Sequence, residues 1–162
     1  MRVDRQNLAF LLLGAALTCL VCIVGAAGFA GGLLFGQASG KPTSFVVEVR
    51  ADRGWQPAGL RVEAGDFLVI TQVGGSWSEC PDYGCPFRDG DGNLESELDQ
   101  SNNVLSGCHH AALIGRLSAY DMICIGANYA APARQSGWLE LRINDNALDD
   151  NAGVLYVRVE RR

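Results

Sequence analysis

Recognisable catalytic motifs are missing from this sequence, which holds no phosphate-binding glycine loop, no H-E-x-x-H pair and no nucleophile elbow. Histidine is scarce, and the two present, His109 and His110, are neighbours. In a strand, adjacent side chains point to opposite faces, so the pair cannot act together. No Ser, Cys or acid stands at a spacing that would complete a catalytic set with either, and the expectation is a protein that is not an enzyme. Positive charge is also short: from Lys41 onward, eleven Lys plus Arg face seventeen Asp plus Glu, and seven of those acids lie between Glu79 and Asp99. Such a balance argues against nucleic acid as a partner. After residue 40 there is neither a helical amphipathic pattern nor a C-x-x-C pair of the kind zinc sites use.

The first forty residues differ sharply from the rest. Leu8 to Gly36 is a run of 29 residues without a charge, which as a helix would reach about 43 Å and span a bilayer. A cleaved signal peptide is the rival, since Gly36 and Ala38 resemble a small-x-small cleavage site after a basic start at Arg2 and Arg5. Its apolar core would be too long, because such regions run roughly 7 to 15 residues. The expected organisation is therefore a cytoplasmic tail (1–7), a single transmembrane helix (8–36), a polar linker (37–43) and one domain (44–162) of a size that suits a single core. Gly28, Gly32 and Gly36 fall four apart on one helical face, where another transmembrane helix could approach closely. Glycine is also common in membrane helices without such a role. Cys19 and Cys22 lie in the apolar run, where a buried, unreactive thiol is the simpler reading.

Basic residues flank the apolar run on both sides, so their count does not orient it. Cys80, Cys85, Cys108 and Cys124 make an even number in a small domain, as a disulfide-permissive compartment allows. The expected location is the cytoplasmic (inner) membrane, single-pass, with the C-terminal domain periplasmic. Of the three possible pairings, Cys80 with Cys85 and Cys108 with Cys124 are preferred, the first as a local bridge around Pro81 to Gly84.

From Ser44 the pattern has a period of two. Phe45, Val47 and Val49 alternate with Val46, Glu48 and Arg50; Leu139, Leu141 and Ile143 alternate with Trp138, Glu140 and Arg142; Leu155, Val157 and Val159 alternate with Tyr156, Arg158 and Glu160. The last two strands are expected to be antiparallel neighbours. Leu60 and Val62 lead through the turn Glu63 to Asp66 into Phe67 to Val73, an apolar run that reads as a strand buried on both faces. Ala111 to Leu117 is a further strand, after a long irregular stretch from Ser78 to Gly107 that must be functional or clamped. Many short strands joined by turn-rich connections predict an all-β sandwich, jelly-roll-like, behind the N-terminal helix.

The densest polar group lies between the last two strands. In Asp145 to Asn151, five oxygen-bearing side chains occupy seven residues. Ca²⁺ takes six to eight oxygen ligands and a curled loop can supply several, although Asp and Asn also favour ordinary solvated turns. The segment Asp89 to Glu95 begins like an EF-hand loop but has Leu94 in place of the invariant glycine and Gln100 in place of the bidentate Glu.

Gly54-Trp55-Gln56, Gly59 to Asp66, Gly75-Ser76-Trp77, Ala112 to Arg116, Ile143-Asn144-Asp145 and Asp150 to Gly153 together resemble the PA-IL-like family. That family is named for a calcium-dependent galactose-binding lectin of β-sandwich fold. The likeness runs in order across almost all the domain and leaves out the apolar segment. It implies Ca²⁺ held by Asp145, Asp150 and Asn151 through side chains and by Leu148 through its carbonyl, with a further carbonyl from around Cys80. It also implies sugar contacts from Asp145, Asn146 and Asn151. The lectin has an asparagine where Asp150 stands, its loop is two residues longer, and its His-Pro-x-Gln sugar segment has no counterpart in Leu94 to Ser101. The expected function is therefore a non-enzymatic accessory or scaffolding subunit of a larger membrane complex, with lipid and other transmembrane subunits as partners, and the second reading is a calcium-dependent galactoside-binding lectin.

Overall fold

The computed structural model describes residues 43–98 and 100–162. Eight strands form two antiparallel four-stranded sheets. They are β1 (Thr43–Arg50), β2 (Gln56–Val62), β3 (Phe67–Ser78), β4 (Leu113–Ser118), β5 (Asp121–Cys124), β6 (Asn128–Pro132), β7 (Gly137–Ile143) and β8 (Ala152–Arg161). One sheet runs β1-β8-β3-β6 and the other β2-β7-β4-β5. Every successive pair except β4 and β5 changes sheet, the interlocked order of a jelly roll. Among the described residues the one helical element is a 3₁₀ turn at Pro81–Tyr83. No helix there is long and apolar enough to cross a membrane. The expected tail, transmembrane helix, Gly28, Gly32 and Gly36 all lie outside the described residues, as does the linker except for Thr43, which opens β1.

Alternation produces the core. Val49, Leu60, Val62, Leu68, Ile70, Leu139, Leu141, Leu155, Val157 and Val159 turn inward from both sheets and pack into one buried cluster with Trp77. Two expectations are corrected. The run Phe67 to Val73 is not buried on both faces: Leu68 and Ile70 are buried, whereas Phe67 and Val73 are exposed, because one face of an antiparallel sandwich sheet meets water. Nor are β7 and β8 neighbours. β8 already has β1 on one edge and β3 on the other, while β7 lies between β2 and β4. The connection from Asn144 to Asn151 is thus not a hairpin loop but a crossing between sheets, at one end of the sandwich.

The long irregular stretch is clamped. Disulfides join Cys80 to Cys85 and Cys108 to Cys124. Cys108, Ala112 and Ile114 form a second small core under the connection, with Trp55, Val104 and Leu105 packed on it. Trp77 Nε1 donates to the Ala111 carbonyl at 2.9 Å, tying the end of β3 to the segment that leads into β4.

Candidate functional site

Two strand ends position the acidic crossing. β7 delivers Asn144 and Asp145 into the protein interior, where Asp145 is only 2% exposed. On the other side, Gly153 has φ +100°, and a Cβ there would run into the Ser76 carbonyl and the Trp77 backbone. Glycine at this point lets β8 start flush against β3, with Ser78 opposite Ala152. That seats Asn151, also buried, at the mouth of the sandwich.

Three of the expected cation ligands come together there. Asp145 Oδ1 accepts the Ala147 N–H at 3.0 Å. Asn151 donates its amide to the Ala51 carbonyl at 3.3 Å, which turns its Oδ1 the other way. That Oδ1 and the Oδ1 of Asp150 are both buried without a hydrogen-bond partner. Leu148 packs its side chain against the core, and its carbonyl receives the Asn151 N–H at a long 3.4 Å. Asp149 and Asn146 are exposed. Burial pushes the Asp145 carboxyl above its ordinary range and the neighbouring charge of Asp150 acts the same way, against the Ala147 N–H, the nearby His110 and a hydrogen bond with Asn151. Buried, unpartnered oxygens on a carboxylate and an amide, next to a second buried carboxylate, form a donor set that fits a hard cation such as Ca²⁺.

The carbonyl expected from around Cys80 is not assigned to one residue, and Cys80 O itself is engaged within its own turn. Cys80 O already accepts the N–H groups of Tyr83 and Cys85, because the bridge curls the chain back on itself. Nor does Asp89 to Glu95 build a second cation loop. Asp91 Oδ1 accepts the Ala127 N–H at 2.7 Å and Asp89 Oδ1 accepts the Asp91 N–H, so both acids are spent on holding turns.

Sequence reasoning missed the residues that hold the crossing. Asn144 is fully buried; its amide donates to the carbonyls of Leu105, Cys108 and His109, and its Oδ1 accepts the Leu105 N–H. Asn146 donates its backbone and side-chain N–H to Asn102 and Asn103. His110 Nδ1 lies 2.9 Å from Asn103 Oδ1. The long connection is thereby laid along the flank of the acidic crossing, with His110 and Asn103 beside it; His110 lies outside the eight strands, in an isolated β-bridge with Asn93. From the other side the buried Arg142 donates to the Asp145 and Ile143 carbonyls, and its guanidinium lies 5.5 Å from the Trp55 ring centroid, with that of Arg116 at 4.3 Å. Burial holds the Arg142 pKa below its usual value. Glu79, one residue past β3, is a further buried acid, with Oε2 unpartnered.

No family model matches the chain, and no curated protein matches it. A solved structure titled "EclA N-terminal domain; PllA-like lectin" is similar at 20% identity and a TM-score of 0.49, over 73% of this chain and 96% of that one. The sandwich described above rests on this chain's own strand pairing.

Proposed function

We propose that this chain is a carbohydrate-binding protein of lectin type, whose binding depends on a divalent cation held in the Asp145 to Asn151 crossing. The observation that carries the reading is the pair of buried oxygens without partners, Asp150 Oδ1 and Asn151 Oδ1, beside the buried Asp145 carboxyl. Left without a partner, such groups cost about 1 to 3 kcal/mol each, more where charged, and an ion between them offsets that cost. The resemblance to the PA-IL-like family points the same way, since its lectin binds galactose through a calcium ion.

Asp145, Asp150 and Asn151 hold the ion through side-chain oxygens, and Leu148 adds its carbonyl. When bound, a Ca²⁺ ion supplies open coordination positions that vicinal sugar hydroxyls can fill. Asp145, Asn146 and Asn151 then accept or donate hydrogen bonds to those hydroxyls. His110 and Asn103, on the flank of the crossing, supply the polar contacts that Leu94 to Ser101 lacks. The N-terminal apolar run tethers this domain to the inner membrane, with the sugar site periplasmic. A role as accessory subunit rests on Gly28, Gly32 and Gly36, which lie outside the described residues, and ranks below the lectin reading.

Titration calorimetry on the full-length chain tests the proposal. Galactosides should give binding heat with Ca²⁺ and none in chelator, and Asp150→Ala should remove both calcium and sugar binding. Sugar binding that persists in chelator would overturn the cation-dependent mechanism. Calcium binding with no response to any monosaccharide would overturn the lectin reading.

A further inference from the structure

Glu79, Cys80 and Cys85 bring a carboxylate oxygen and two sulfurs within 4.8 Å of one another, and no other such cluster of His, Cys, Asp or Glu occurs among the described residues. Glu79 is only 6% exposed. One of its oxygens, Oε1, lies 3.8 Å from Arg88 Nε, and the other, Oε2, is buried with no partner. The Arg88 guanidinium pairs with the carboxyl from the Oε1 side, and Oε2 is left open to a ligand.

The turn carrying the sulfurs is held by more than its bridge. Cys80 O accepts from Tyr83 and Cys85, Pro81 O accepts from Gly84, and Ser78 Oγ donates to Cys85 O. Pro81 fixes the backbone at the start of the turn. With Cα atoms 5.1 Å apart, the two sulfurs would remain on the same side of this turn after the bridge opens. Both cysteines are half-buried, so a reductant can reach them.

From this we infer that the Cys80–Cys85 bridge is a redox gate over a zinc-type metal site, made by the two thiolates and the Glu79 carboxylate once the bridge is reduced. The reductant this step requires is a dithiol. Its two hydrogens pass to Sγ of Cys80 and Cys85 as the S–S bond breaks, and the dithiol becomes a disulfide. Binding of Zn²⁺ then releases the two thiol protons to water, and two sulfurs, one oxygen and a water complete a tetrahedral set. Thiolate softness selects Zn²⁺ over Ca²⁺ here.

The test uses the full-length chain reduced with a phosphine, which takes oxygen from water and leaves two hydrogens on the sulfurs without itself competing for metal. Co²⁺ is the probe, because its thiolate charge-transfer absorption reports sulfur ligation. Reduced wild type should show that band and lose it on addition of Zn²⁺ or on reoxidation. The Cys80→Ser, Cys85→Ser double variant should bind one ion fewer, which separates this site from any held by Cys19 and Cys22. Glu79→Gln should weaken that ion by about tenfold or more. Equal ion counts in wild type and the double variant, or an affinity unmoved by Glu79→Gln, would overturn the inference. So would a reduced wild type with no thiolate band, a readout that needs no variant to fold.

Discussion

Asp145 is where the chemistry of single residues weighs most. Its carboxyl sits above the ordinary range because burial disfavours the charge, so the native state binds the proton more tightly than the unfolded chain does. The resulting stabilisation is complete below the unfolded value of about 3.9 and is lost as pH rises through the elevated native value. In chelator, wild type should therefore lose melting temperature relative to Asp145→Asn as pH rises from about 4 toward neutrality. Saturating Ca²⁺ should reverse that order at neutral pH, because the ion needs the charged carboxylate. Melting curves of the two proteins with and without metal across pH check this, and parallel curves would remove the charge argument. Asn144 makes a second residue-scale case, this one about stability. Asn144→Ala strips four hydrogen-bonding contacts from a fully buried position and should cost about 2 to 3 kcal/mol, read as a lower denaturant midpoint at unchanged slope.

At the scale of elements, β1, β7 and β8 were legible because each alternates cleanly, and burying one face leaves a period of two in the sequence. Their partners were not, since pairing is decided by non-local packing; hence β7 and β8, consecutive in the chain, lie in different sheets. β5 and β6 escaped notice for a different reason. They are short edge strands, Asp121–Cys124 and Asn128–Pro132, with no fully buried residue to mark a core face. The acidic crossing was visible as a cluster of oxygen-bearing residues. Its supports were not, because Asn144 grips carbonyls 35 to 39 residues away. Gly153 links this scale to the site. Gly153→Ala places a side chain at φ +100° against the Ser76 carbonyl, so β8 must shift away from β3 and carry Asn151 with it. A loss of about 2 kcal/mol in stability should come with weaker Ca²⁺ binding, whereas a loss of stability with unchanged affinity would uncouple the strand start from the site.

For the whole molecule, the jelly roll carries the acidic crossing and the long clamped connection beside its main core, with the smaller core of Cys108, Ala112 and Ile114 under that connection. The apolar run at 8–36 is the proposed tether. The full-length chain should stay with membranes through an alkaline carbonate wash, and a version beginning at Gly40 should not; release of both would discard the tether. In the proposed mechanism an ion completes the crossing and sugar binds through it. A cation bound only by the folded form stabilises by about RT ln(1 + [L]/Kd), or roughly 2.7 kcal/mol at a hundredfold excess over Kd. The most direct measurement is the melting temperature of the full-length chain with calcium, with chelator, and with galactose added to each. Calcium should raise it, galactose should raise it further only when calcium is present, and Asp150→Ala should abolish both responses. Melting curves that coincide with calcium and with chelator would contradict the account.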